Sequence, residues 1–293
     1  MLKDSIVITK NRAMARSYAK INLTLDITGT REDGYHTLET IMTCVNLSDI
    51  VIVDKTNGEI KITSNKKNIP TNNKNIAYKA CEEFYKALGC NNKGAKILLH
   101  KNIPVSAGLA GGSGNAAATL VSLNMLYNNP FSFEELSKIG AGLGADVPFC
   151  MNCNTHLATG IGDILTPVSS MPNCYIVLVT PPFSVSTPWV YKEYDKLEKS
   201  IFPDNKKMLD ALKKKDYHMI CDNLSNVLES VTLNAYPVLK DIKARMLKLG
   251  ADASLMSGSG PTIFGLFDDY KKAKTCHDEF SKKYKDVFLT TCL

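Results

Sequence analysis

The stretch "PVSAGLAGGSGNAAATL", residues 104–120, decides how this chain is read. Gly108, Gly111, Gly112 and Gly114 crowd into it, and an alanine-rich run follows from Asn115 without a break. Glycine costs backbone entropy, so such density marks a turn with positive φ or a close backbone approach. Alanine is the strongest helix former. A glycine-rich loop feeding a helix N-terminus offers unpaired N–H groups beside the positive end of a dipole, which suits phosphate. The helix is expected from about Asn115.

Three loop types compete for this stretch. A Walker A loop needs Gly-Lys-Ser/Thr, and no Gly-Lys dipeptide occurs in the sequence. A dinucleotide fingerprint drawn from Gly112-Ser113-Gly114 to Ala117 needs an acidic residue closing a strand about 20 residues on. The segment there, "NNPFSFEEL", reads as a turn and a helix start instead. Tight helix–strand packing also gathers glycines and is the third alternative.

With 293 residues, 44% of them hydrophobic, the chain can bury one large core or two adjoining ones. The net charge of +6 is modest, and the run Lys213–Lys215 sits on a helical pattern as a solvated face. No basic stripe or recognition motif points to nucleic acid. Nine cysteines without a regular framework suggest a reducing compartment, and the lone Cys150–Cys153 pair is expected to pack rather than bind zinc. No run reaches membrane-spanning length and the first residues lack a signal-peptide pattern, so a cytoplasmic protein is expected.

Along the chain, "ARSYAKINLTLDIT" alternates and reads as a strand, followed by strands "ETIMTCVNLSDIVIVDK" and "EIKITS" split at Asn57-Gly58. "NKNIAYKACEEFYKALG" has helical spacing with Gly89 as its stop, "AKILLHKNIPV" is a strand, and Ser132-x-x-Glu135 opens a helix with a capping box. Beyond residue 155 come a hairpin-like "HLATGIGDILTPV", the strand "CYIVLVT", and a mostly helical stretch from Trp189 to Leu249. A strand–glycine turn–strand in "ADASLMSGSGPTIFGLF", a helix over 270–284 and a strand "DVFLT" close the chain. Strands and helices do not alternate regularly enough for a doubly wound sheet. The expected class is α+β, in two domains over 1–155 and 156–293.

Several polar residues stand out. Asp146, before Val147-Pro148, reads first as an N-cap and second as a catalytic residue. Lys20 lies in the apolar strand "AKINLTL", where an unpaired ammonium costs desolvation, so a nearby carboxylate is expected. Asn22 shares its strand face. Tyr35 and His36 follow Asp33-Gly34, as in a surface turn. Asn75 begins a helix and reads equally as its cap. His100, His156, His218 and His277 have no partner at metal or triad spacing, and Ser257–Gly260 does not satisfy Gly-x-Ser-x-Gly.

Taken together, "IPVSAGLAGGSGNAAATL", "AKINL", "REDGYHTLET", "GLGADVPF", "NVLE" and "MSGSGPTIF" resemble, in order and spacing, motifs of the superfamily of galactokinase, homoserine, mevalonate and phosphomevalonate kinases. Within it they are most similar to the branch acting on 4-diphosphocytidyl-2-C-methyl-D-erythritol. The resemblance covers nearly the whole chain. It implies a two-domain fold with the active site in the cleft between domains, the first domain like the second domain of ribosomal protein S5.

The implied reaction is ATP-dependent phosphorylation of that substrate's 2-hydroxyl, with Mg²⁺, in a monomer or weak homodimer. Another kinase of the superfamily, a non-catalytic sugar-sensing binder and a nucleic-acid-binding protein are the rivals. The ATP phosphates would lie along Pro104, Val105, Ser106, Ala107, Gly108, Leu109, Ala110, Gly111, Gly112, Ser113 and Gly114, with Asn75 at the adenine. Where the family usually has Ser-Ser, this chain has Ser113-Gly114, and Ser113 is the candidate hydroxyl. Asp146 would be the base and Lys20 its partner, with Asn22 on the polyol. His36 would read the cytosine edge while Tyr35 stacks on its face. Tyr191, or Trp189 as its rival, would close the sandwich, and Thr187 would touch the diphosphate.

Overall fold

A computed structural model describes residues 2–90, 93–198 and 202–293. The chain forms two compact units that are discontinuous in sequence. Met1–Ala19, Leu47–Ile103 and Ala110–Cys153 make the first; Lys20–Asn46, Pro104–Leu109 and Asn154–Leu293 make the second. One division, after Cys153, falls beside the boundary expected at residue 155. Segments 20–46 and 104–109 nevertheless group with the second unit, so the glycine stretch itself is divided at Ala110.

In chain order the first part contains β1 (Val7–Ile8), β2 (Arg12–Thr30), β3 (His36–Asn57), β4 (Lys61–Ser64), α1 (Ile76–Ala87) and β5 (Lys93–His100). Helices α2 (Gly111–Leu126), α3 (Phe133–Ala141) and α4 (Asp146–Asn152) follow. The strand order is β1-β2-β3-β5-β4, with β3 and β5 antiparallel and β4 parallel to β5. From Arg12 to Ser17, β2 alternates exposed with buried residues, the mark of a sheet with one solvated face. α1 stops where expected, with Gly89 at φ 70°. α3 carries the expected capping box, Ser132 and Glu135 bonding reciprocally.

The remaining elements are β6 (His156–Thr159), β7 (Ile164–Pro167), β8 (Tyr175–Thr180), α5 (Thr187–Tyr194), α6 (Asn205–Lys214) and α7 (Tyr217–Asp222). After them come β9 (Ser225–Asn226), α8 (Glu229–Ala235), α9 (Pro237–Lys248), β10 (Ala253–Met256), β11 (Ile263–Phe267), α10 (Tyr270–Ser281) and β12 (Asp286–Thr291). β6 and β7 form the expected hairpin. The mostly helical stretch includes residues 199–201, which lie outside the described residues. A separate antiparallel sheet runs β10-β11-β8-β12. Its interior strand β8 is buried from Ile176 to Thr180, which accounts for the continuous apolar run in "YIVLVT". Val177, Val179, Ile242, Met246, Phe267 and Phe280 share one core there.

No helix among the described residues is long and apolar enough to cross a membrane. Cys150 and Cys153 are buried, with the Cys153 thiol donating to the Cys150 carbonyl at 2.9 Å, and no cluster of metal-binding side chains occurs among the described residues. Burial pushes the thiols of Cys81, Cys221 and Cys276 up to about 12. Such thiols pack rather than react.

One buried polar cluster in the first unit sets where α2 begins. Lys101, just past β5, donates to Asp49 and to Asn115 Oδ1 at 2.9 Å, and reaches the Gly111 carbonyl at 3.4 Å. Asn115 Nδ2 returns a bond to Asp49 at 2.9 Å, while the amides of Asn102 and Ile103 donate to the other Asp49 oxygen at 2.7 and 2.8 Å. Burial lowers the Lys101 pKa from its ordinary value, with Asp49 pulling the other way. Losing one partner of a buried ion pair strands the other charge, so Lys101→Met is expected to cost about 3–5 kcal/mol in urea denaturation. A loss below about 1 kcal/mol would mean that Asp49 needs no cation.

Candidate active site

In the first unit the expected phosphate loop is shorter than the sequence implied. α2 starts at Gly111 rather than near Asn115, because the Gly114 amide already closes onto the Ala110 carbonyl at 2.8 Å. The N-cap is Ala110, in the left-handed region at φ 54°, and no side chain caps the helix. The amides of Gly111, Gly112 and Ser113 precede the first intrahelical bond and take no backbone carbonyl among the described residues. The Ser113 hydroxyl has no hydrogen bond there either. The result is a helix N-terminus with bare donors and a free hydroxyl, which suits an anion.

Three helix starts converge on Ile76. A Cβ added at Gly112 would lie 3.7 Å from Ile76 Cγ2, and one at Gly144 would lie 3.7 Å from Ile76 Cδ1. Ile76 opens α1, Gly112 lies in the first turn of α2, and Gly144 precedes α4. Asn75 caps α1: its Oδ1 accepts from Ala77 N at 2.9 Å, and its Nδ2 donates to the Pro70 carbonyl at 2.7 Å. The cap reading therefore describes what Asn75 does, and one lone pair and one N–H remain for a ligand.

Asp146 is not an N-cap. It is the first residue of α4, whose N-cap is Ala145, and no side chain caps that helix. Its half-buried carboxylate makes no hydrogen bond or ion pair among the described residues. A carboxylate in the first turn of a helix also suits its dipole, a structural role distinct from capping.

The second unit gathers the other candidates. From Ala19 to Leu25 both faces of β2 are covered, and the face that holds Lys20, Asn22 and Thr24 is polar. Lys20 is 5% exposed, and its Nζ donates to Asn22 Oδ1 at 2.6 Å. That oxygen also accepts the Gly258 amide at 3.0 Å, while Asn22 Nδ2 donates to Thr40 at 2.8 Å. No carboxylate of this unit pairs with Lys20 among the described residues. The ammonium has a dipole for a partner and no countercharge within its own unit.

The loop 257–260 braces this arrangement. Asn226 Nδ2 donates to the carbonyls of Met256 and Gly258 at 2.9 and 2.8 Å, and the Ser257 hydroxyl donates to Gly108 O at 2.9 Å. Gly108, at φ 74°, cannot be replaced: an added Cβ would lie 2.2 Å from Ser257 O. The Lys20 amide donates to Leu109 O at 3.2 Å. Residues 104–109 are thus held against β2 and the 257–260 loop.

A third cluster centres on His36. Its ring lies 5.0 Å from that of Tyr191, tilted by 38°, and its Nε2 is 2.8 Å from Asp195 Oδ1. Trp189, the rival aromatic, is occupied edge-on with Tyr236 at 6.3 Å. Tyr35 is 62% exposed on a turn with Gly34 at φ 83°, and touches no ring among the described residues. Thr187 shares a hydrogen bond with Ser259 Oγ at 2.7 Å. Asp195, Ser259 and the Asp49–Lys101–Asn115 cluster escaped the sequence reading. An acidic residue four positions after Tyr191, at a helix C-terminus that disfavours negative charge, was the available signal for Asp195.

Gly114 also finds its reason. A Cβ there would lie 2.4 Å from Ser17 Oγ, so a side chain at 114 would displace the Ser17 hydroxyl. Gly114→Ser is expected to cost about 1–3 kcal/mol in urea denaturation. Most of that loss should vanish in a Ser17→Ala background, and an equal cost in both backgrounds would rule out the clash.

A family model for the GHMP kinases N terminal domain matches residues 75–154, and one for the GHMP kinases C terminal domain matches 208–286. The chain is 48% identical over 276 residues to 4-diphosphocytidyl-2-C-methyl-D-erythritol kinase of Clostridium beijerinckii, covering 94% of this chain and 98% of that protein. It is 44% identical over 275 residues to the kinase of the same name from Clostridium novyi, again covering 94% and 98%. Among solved structures, a 4-(cytidine 5'-diphospho)-2C-methyl-D-erythritol kinase superposes with a TM-score of 0.79 at 31% identity, over 95% of this chain and 98% of that one. A homoserine kinase from Cytophaga hutchinsonii superposes at 0.76 over 98% and 96%, but at 20% identity, a likeness of fold alone.

Proposed function

The chain belongs to the GHMP kinase family, and from that membership we propose that it transfers the γ-phosphoryl group of ATP to the 2-hydroxyl of 4-diphosphocytidyl-2-C-methyl-D-erythritol. The products are the 2-phosphate and ADP, in the methylerythritol phosphate route to isoprenoids. The observation that carries this is end-to-end similarity to relatives named for that kinase. The nearest alternative, a homoserine or mevalonate kinase, is supported only by likeness of fold.

Phosphoryl transfer asks a protein for positioning and charge stabilisation. The bare amides of Gly111, Gly112 and Ser113 are suited to ATP phosphate oxygens. An exposed helix dipole contributes only about 0.3–1 kcal/mol, so directed hydrogen bonds and the metal do most of the holding. Mg²⁺ commonly keeps its waters and takes few protein ligands, and the unpartnered Ser113 hydroxyl fits that role. When bound, the metal neutralises charge on the phosphates.

In this reading the free Asp146 carboxylate takes the proton of the acceptor hydroxyl. The Lys20 ammonium, lacking a countercharge in its own unit, favours the developing alkoxide, and the Asn22 side chain orients the polyol. His36 reads the cytosine edge, with Tyr35 and Tyr191 on its faces. Thr187 lies beside the diphosphate, and Asn75 toward the adenine.

Turnover assays with the cytidylated substrate, mevalonate and homoserine test the reading. Turnover is expected on the first, and activity confined to the other two would replace the assignment. Asp146→Asn should lower kcat by roughly 100- to 10,000-fold. A loss below about tenfold would return Asp146 to a structural role.

The aromatic assignment has its own test. A ring stacked on a base contributes on the order of 1–3 kcal/mol. Tyr35→Ala should therefore raise KM for the cytidylated substrate by about tenfold and leave KM for ATP unmoved. An equal rise in both would dismiss the stacking role.

A further inference from the structure

We propose that Asp195 is a positioning residue that selects cytosine over uracil by holding His36 in one tautomer. The proposal rests on the cytidine reading above and adds to it the origin of base choice. A carboxylate only accepts, so at 2.8 Å from Asp195 Oδ1 the His36 Nε2 carries the hydrogen and donates it. In the neutral ring Nδ1 then keeps its lone pair and is the nitrogen left for a ligand. No other hydrogen bond to this ring occurs among the described residues. The His36 side chain is 12% exposed, against 49% for Asp195, so the imidazole is confined while its partner remains wetted.

The placement of Asp195 has no better explanation in local stability. It is the C-cap of α5, where the helix dipole disfavours an anion. Its carboxylate forms no other hydrogen bond or ion pair among the described residues. Tyr191, one turn earlier on the same helix, sets its ring 5.0 Å from His36. One turn of α5 thus supplies both a ring beside the imidazole and the acceptor that orients it.

The chemical consequence follows from the two pyrimidines. Cytosine carries an amine donor at position 4, and uracil carries a carbonyl acceptor there. An unprotonated Nδ1 accepts from the amine, whereas against the carbonyl it sets lone pair against lone pair. Without Asp195 the imidazole can exchange tautomers and donate to uracil as readily as it accepts from cytosine.

Binding of cytidine 5'-diphosphate and uridine 5'-diphosphate, measured by calorimetry, tests this. The unaltered protein should prefer the cytidine nucleotide. Asp195→Ala should shrink that preference by about tenfold, the uridine nucleotide losing less affinity than the cytidine one. Asp195→Asn, whose amide can turn either its oxygen or its NH₂ to the ring, should shrink it too, while Asp195→Glu, which keeps an acceptor, should retain more of it. If both nucleotides weaken by the same factor in Asp195→Ala, Asp195 is structural and the proposal is overturned. If the unaltered protein binds neither nucleotide, the cytidine reading itself falls and this proposal with it.

Discussion

Three amides at the start of α2 have no cap, and much of the first unit is arranged so that they stay where they are. An uncapped N-terminus frays unless something else fixes it. Here Lys101 reaches the Gly111 carbonyl and Asn115 Oδ1 while gripping Asp49, and Asp49 in turn holds the amides after β5. The helix start is therefore clamped through its carbonyl and its second turn. Its N–H groups are spared. A side-chain cap would hold the same helix by using up the donors.

The second unit solves a related problem with opposite charge. Lys20 is taken out of water on a strand whose other face is apolar core, an arrangement costly for an ammonium without an anion. Asn22 supplies a carbonyl oxygen, and Asn22 is itself fixed by Thr40 and the Gly258 amide. The lysine is thus oriented without being neutralised. An ammonium held this way keeps most of its electrostatic demand for an anion.

Much of this was legible in the sequence, because period-two alternation and helix punctuation are local. The course of β2, the hairpin of β6 and β7, the Ser132 capping box and the glycine turn between β10 and β11 could all be read from neighbouring residues. The motifs that mark the family were legible in the same way, each being a short contiguous string. What escaped depends on contacts between distant positions. Asp49 and Lys101 are 52 residues apart, and His36 and Asp195 are 159 apart. The first pair leaves no local pattern, and the second only an acidic residue at a helix end. The start of α2 was misplaced for a subtler reason: glycines that read as loop have helical dihedrals once a carbonyl closes on them. The interleaved units were hidden because strands as long as β2 and β3 need no change of texture where they pass from one unit to the other.

Backbone strain argues in the same direction as the missing cap. Ser106 and Ala110 have φ of 53° and 54°, a region that costs a residue with a Cβ about 1–2 kcal/mol, and they flank Gly108 at 74°. Glycine at 106 or 110 would relieve that strain, and serine or aspartate at 110 would add a cap worth about 1 kcal/mol. Ala110 does neither. An oxygen-bearing side chain there would occupy the amides that the fold otherwise leaves bare, and glycine would loosen the turn that aims them. Alanine in a strained conformation is the residue that keeps these donors both rigid and unoccupied. That combination has no value to a helix end that binds nothing, and a clear one to a helix end that binds phosphate.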